Sequence, residues 1–168
     1  MSGAVAANDD AGGTDAGESV KDALQLTLEE ARMVLPGVQT LFGFQLIAVF
    51  NERFDLLLST RQQLLHLAAI VLVTIAIALV MTPAAYHRQV EPRRASARFL
   101  VLASRLVSGA MLPLAAGLAI DVYLIAGVIS DAPLLSATLG IAVFAMFVAL
   151  WFAFPQWRAR RAPQRGAR

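Results

Sequence analysis

The sequence predicts an all-α fold, an integral membrane four-helix bundle preceded by a short amphipathic N-terminal helix. Three observations carry this reading. The run from Leu64 to Met81, LLHLAAIVLVTIAIALVM, is uncharged, with His66 and Thr74 its only polar side chains. At ~1.5 Å per residue its roughly 18 residues cover about 27 Å, close to the ~30 Å hydrocarbon core of a bilayer. Three further apolar segments surround it in the chain. The composition agrees: 58% of the 168 residues are hydrophobic and 15% charged, where a soluble domain carries about 25% charged residues.

The same totals narrow the chemistry. There is no cysteine, so disulfides, thiolate metal sites and thiol nucleophiles are excluded, and only His66 and His87 supply imidazole. The net charge is +2, with acids gathered before residue 31 and arginines in the middle and at the C-terminus. These basic residues flank apolar spans and do not form the face of a soluble domain, which argues against nucleic acid as a partner.

In order, residues 1–18 are rich in Ala, Gly and Asp, with little to bury, and read as a disordered acidic tail. No basic segment precedes a hydrophobic core there, so the first true span is expected to direct insertion. Residues 19–33 form the amphipathic cytoplasmic helix. Ser19 with Asp22 resembles a capping box, Val20, Leu24, Leu28, Ala31 and Leu35 recur at helical spacing, and Lys21, Gln25, Glu29 and Arg32 hold another face. The membrane domain, 34–157, follows. Span one covers 34–50, with Pro36 near its start where a missing amide donor is tolerated. A loop from Asn51 to Gln63 contains Phe54 as an interfacial anchor. Span two covers 64–86, past Pro83. The loop from Thr82 to Arg98 is strongly basic. Span three covers 106–129, a tight turn occupies Ser130 to Pro133, and span four covers 134–154. Trp151, Phe152, Phe154 and Trp157 then form an aromatic belt before the basic cytoplasmic tail at 158–168.

Orientation follows from the arginines, because Lys and Arg are retained in the cytoplasm. With the N-terminus inside, twelve of the 14 basic residues are cytoplasmic and only Arg53 and Arg61 fall outside. The expectation is four spans in an inner membrane with both termini in the cytoplasm.

One residue departs from the apolar pattern of span three: Asp121, in LAAGLAIDVYLIAGVI. A carboxylate at that depth costs about 2.5 to 3.5 kcal/mol on insertion scales, and the eleven Leu, Ile and Val residues of the span return about 3 to 6. The helix therefore inserts, and Asp121 must face protein or water. A protonatable carboxylate in a span suits a proton-coupled transporter, which binds a proton or a cation at one group in turn. The same group also serves as a structural hydrogen-bond donor between helices. Gly109, Pro113, Gly117 and Asp121 lie four apart on one slowly drifting face. The small residues there permit close helix contact, and Pro113 predicts a bend. Depth counting places Gln45 of span one level with Asp121 as a partner. His66 falls at the outer end of span two, where an interfacial histidine needs no ligand role. There is no phosphate loop, no HExxH and no hydrolase pattern, so an enzyme, a cofactor and a metal site are not expected.

The stretch EEARMVLPGVQTLFGFQLIAVFNERF, Glu29 to Phe54, followed by the span ending TPAAYHR, Thr82 to Arg88, resembles a bacterial family of small four-span membrane proteins of unknown function, some of whose members bear a sodium:proton antiporter label. The resemblance covers roughly Leu24 to Pro155. Its most specific parts are Glu30 with Arg32, Gly37 to Gln39, Phe50, Arg53 with Phe54, and Pro83 with His87 and Arg88. It implies the four-span architecture and a cytoplasmic polar cluster of Glu30, Arg32, His87 and Arg88. The family brings no established ion-binding residues to carry over. Together these readings make cation/proton transport the specific expectation, with Asp121 and Gln45 at the proton or cation site. A sodium ion or proton is the expected cargo, lipid the surroundings, and a homo-oligomer the working form. The competing class is a non-transporting accessory or scaffold protein.

Overall fold

The computed structural model describes residues 6–90 and 96–161. The chain is all-α, with no strand among the described residues. Four helical stretches are long and apolar enough to cross a membrane: Arg32–Val49, Thr60–Val90, Arg98–Ser130 and Pro133–Arg161.

Helix α1 runs without interruption over Ala6–Val49, 44 residues with Pro36 inside. This corrects the expected boundary at Ser19: residues 6–18, read as a disordered tail, are helical, while residues 1–5 lie outside the described chain. The segment contains no proline to break the helix, and alanine recurs at 6, 7, 11 and 16 among weaker formers. Pro36 cannot donate to the carbonyl four residues back, but the helix continues through it. The Thr40 hydroxyl donates to the Pro36 carbonyl at 2.8 Å.

After α1 the chain turns at Asn51, whose side-chain Oδ1 accepts from the Arg53 amide at 2.9 Å. The expected loop then contains a single helical turn, α2, over Phe54–Leu57. Leu58 is extended (φ −114°, ψ 124°). Helix α3 covers Thr60–Val90, starting four residues before the predicted span. Its start is set by a polar signal. Ser59 precedes the helix and Gln62 sits at its third position, with the Gln62 Oε1 accepting from the Ser59 amide at 2.9 Å and from the Ser59 hydroxyl at 2.7 Å. That is the return half of a capping box.

Helix α4 covers Ala97–Ser130 with Pro113 inside, nine residues longer at its start than the predicted span. Ser96 opens it, its hydroxyl accepting from the Phe99 amide at 3.1 Å. The turn falls where expected. Asp131 has φ 49°, the left-handed conformation that Asp tolerates better than most side chains, and its amide donates to the Gly127 carbonyl at 3.1 Å. Pro133 opens helix α5, Pro133–Val148, in the position where its lost amide costs nothing. A widened π-helical turn at Ala149–Ala153 links α5 to α6, Phe154–Arg161. Pro155, which has no amide to donate, stands immediately after that turn.

The chain divides into two compact units, residues 1–40 with 77–110, and residues 41–76 with 111–168. In the first, Phe99 and Ala103 are buried with Leu100 packed on them. The Tyr86 ring stacks on Phe99 (5.6 Å between centroids, 8° between planes), as does the His87 ring at 5.5 Å. In the second, two glycines allow close helix approach. A Cβ at Gly117 would lie 3.0 Å from the Val73 Cγ2 and 3.3 Å from the Ala69 carbonyl, and one at Gly140 would lie 3.0 Å from the Tyr123 Cβ and 3.1 Å from the Ala119 carbonyl. Backbone thus meets helix directly where α3 and α5 touch α4. Gly109, on the same expected face as Gly117, has nothing within 4 Å of its Cβ position.

Candidate functional site

The second unit contains a polar trio in otherwise apolar surroundings. Gln45 lies one turn from the C-terminal end of α1, His66 in the second turn of α3, and Asp121 in the third quarter of α4. Three helices therefore deliver one side chain each. Gln45 and His66 are 4% and 7% exposed. The Gln45 Nε2 donates to the Asp121 Oδ2 at 2.7 Å, the short distance of a charge-assisted bond. The His66 Nε2 lies 3.0 Å from the Gln45 backbone carbonyl. A carbonyl only accepts, so Nε2 carries the hydrogen and the tautomer is set by the backbone of α1. That leaves Nδ1 turned to Asp121, 3.7 Å from its Oδ1.

The protonation chemistry follows from these contacts. With Nε2 committed, Nδ1 and the Asp121 carboxyl are the two remaining positions for a proton. The Asp121 Oδ1 faces Nδ1 at 3.7 Å, too long for a direct hydrogen bond. The Gln45 Oε1 is buried and finds no donor, an unusual condition for an amide oxygen in a protein interior.

Beside the trio is a cavity of about 420 Å³. Its walls are mainly apolar, with Leu41, Phe44, Leu58, Leu124 and Ile125 among them, and Gln45, His66 and Asp121 supply polar groups. Phe54 of α2 also lines it and meets the His66 ring edge-on, 5.5 Å between centroids at 60°. Helix α2 is fastened by Gln63, whose Nε2 donates to the Leu58 carbonyl at 3.0 Å and to the Asp55 Oδ1 at 3.3 Å. Asn51 and Arg53, both exposed, complete the lining.

The structure thus brings together Gln45 and Asp121, and adds His66. His66, expected at the outer end of span two, is buried there with its ring facing both Gln45 and Asp121. Because α3 begins at Thr60, His66 sits inside the helix and reaches both partners. The Ser59–Gln62 cap was the available signal, since moving the helix start to residue 60 brings His66 level with the other two. The expected quartet of Glu30, Arg32, His87 and Arg88 is different. The Glu30 side chain lies outside the described residues, Arg32 and Arg88 are exposed, and His87 is taken up by its stack on Phe99 with Nδ1 unpartnered. Among the described residues no hydrogen bond or ion pair joins Arg32, His87 and Arg88. Nor do the described residues include a group of three His, Cys, Asp or Glu side chains placed to hold a metal ion.

Four long apolar helices and a carboxylate–imidazole–amide trio on three of them define, by length and composition, a multi-pass membrane protein with a polar interior site. The chain belongs to the family of unknown function DUF6328, whose sequence profile matches residues 18–155. No curated protein and no solved structure matches it.

Proposed function

We propose that this protein is a proton-coupled cation transporter of the inner membrane, with Asp121 as the group that takes either a proton or the cation. One observation carries the reading: the Asp121 carboxyl stands beside a cavity, held by the Gln45 amide at 2.7 Å and faced by the His66 Nδ1 at 3.7 Å. A titratable carboxylate within a membrane span is costly, and such groups mark ion and proton pathways. When a cation occupies the carboxylate the proton leaves for water, and the neutral His66 imidazole stays on the Gln45 carbonyl. Twelve of the 14 basic residues favour the orientation with both termini in the cytoplasm. Four spans give one chain little room for a gated pathway, so the working unit is a homo-oligomer.

The test is proton movement in proteoliposomes containing purified protein under an imposed sodium or potassium gradient, wild type against Asp121→Asn. Flux in the wild type that disappears in the variant, at equal reconstitution, is the expected result. No flux from folded wild type under either gradient or with an organic cation would overturn transport and favour an accessory protein, which would instead co-purify with another membrane protein. Equal flux in both would remove Asp121 from the path.

A further inference from the structure

We infer that the cavity beside Asp121 is a binding site for a lipophilic amine, an organic cation with a hydrocarbon or aromatic body and a hydrogen-bonding ammonium head. This rests on the reading of Asp121 as the cation-accepting group and names the class of cation.

Three observations point to this ligand. The first is the unmet need for donors. Asp121 accepts a hydrogen bond from Gln45 at Oδ2 only, since its Oδ1 lies 3.7 Å from the His66 Nδ1, beyond hydrogen-bond range. The Gln45 Oε1 is buried without any donor. Two acceptors on adjacent side chains thus call for a group rich in N–H. An ammonium offers up to three N–H donors and a positive charge that complements the carboxylate.

The second observation is the lining. Leu41, Phe44, Leu58, Leu124 and Ile125 surround the polar groups and match an apolar body. A small metal ion is a poor match. Hard cations take six or more oxygen ligands in exchange for their water shell, and this cavity offers the side-chain oxygens of Gln45, Asn51 and Asp121 in a mainly hydrocarbon wall. Phe44 and Phe54 also place aromatic rings in the lining, and an aromatic face attracts a cation.

The third observation is size. At about 420 Å³ the cavity falls at the small end of the roughly 300–1,000 Å³ range of small-molecule pockets. It suits a single short chain or ring system. Arg53 also lines the cavity but is exposed, whereas Asp121 is largely covered.

The experiment is calorimetric titration of n-octylammonium into the full-length protein in lipid nanodiscs, with empty nanodiscs subtracted and n-octanol as the uncharged probe of equal chain length. Wild type is expected to bind octylammonium saturably, one per chain, and at least about tenfold more tightly than octanol, because the charged hydrogen bond is worth about 1.5–3 kcal/mol. Asp121→Asn should abolish that preference while leaving octanol binding unchanged. Ile125→Trp, which enlarges a side chain on the cavity wall one turn from Asp121, should weaken both probes. Octanol bound as tightly as octylammonium by wild type, or the preference surviving in Asp121→Asn, would overturn the inference. If Asp121→Asn does not fold, the outcome rests on wild type and Ile125→Trp, where amine binding undiminished by the tryptophan would equally overturn it. Because binding is read without any gradient, amine binding without flux would sink transport alone. Proton flux without amine binding would sink the amine alone.

Discussion

The Gln45–Asp121 contact makes a quantitative prediction that single substitutions would obscure. Asp121→Leu removes a buried carboxylate, and on insertion scales the exchange of Asp for Leu near the middle of a span favours the helix by about 3 to 4 kcal/mol. Part of that gain is returned because the Gln45 Nε2 loses its acceptor, and an orphaned buried donor costs about 1–3 kcal/mol. Gln45→Leu likewise removes two things at once, the donor to Asp121 and the Oε1 that has no partner. Its net effect should be small, within about 1 kcal/mol. The contact itself appears only in the double-mutant cycle. Interhelical hydrogen bonds in membranes average about 0.6 kcal/mol and reach about 1.7. At 2.7 Å to a carboxylate, with Gln45 4% exposed, this one belongs at the upper end, so the coupling should be about 1.5 kcal/mol. The cycle is measured by steric trapping or reversible unfolding in mixed micelles, using wild type, both singles and the double. A coupling below about 0.3 kcal/mol, the level at which independent sites are additive, would refute the bond as a stabilising contact.

Two other predictions concern packing and topology. Gly117→Ala should destabilise by about 1–2 kcal/mol despite the helix propensity gained, since the new methyl meets the Val73 Cγ2 at 3.0 Å and the Ala69 carbonyl at 3.3 Å. Gly109→Ala, with nothing within 4 Å, should instead stabilise by up to about 1 kcal/mol; melting both variants in one detergent decides it, and equal shifts would contradict the close approach of α3 and α4 at Gly117. The absence of native cysteine makes single-cysteine mapping clean. Ser59→Cys should react with a membrane-impermeant maleimide on intact cells and Gln89→Cys only after permeabilisation, and the reverse pattern would invert the proposed orientation.

The long apolar helices were legible in the sequence because a run such as Leu64 to Met81 has only one economical way to satisfy its backbone in lipid. Depth counting also placed Gln45 level with Asp121. What composition hid were the ends of helices. Residues 6–18 lack large apolar side chains, yet their alanines are good helix formers, so a low-hydrophobicity segment extends α1. The Ser59–Gln62 cap starts α3 earlier than the apolar run does, which puts His66 in its second turn. For His87 the resemblance implied a polar cluster with Glu30, Arg32 and Arg88, and nothing in the local sequence reveals that Phe99, twelve residues further on, supplies a ring to stack on it.

The two contacts that Gln45 makes differ in what they demand of evolution. His66 is fastened to its backbone carbonyl at 3.0 Å, which any amino acid at position 45 supplies, whereas Asp121 is fastened to its side-chain amide. The join between α1 and α3 is therefore indifferent to the identity of residue 45, and the join between α1 and α4 depends on it. A relative can exchange the glutamine for another residue and keep the imidazole held in the same tautomer, while giving its carboxylate a new neighbour. Position 45 is thus a place where the neighbour of the carboxylate can change while α1 and α3 keep their way of meeting.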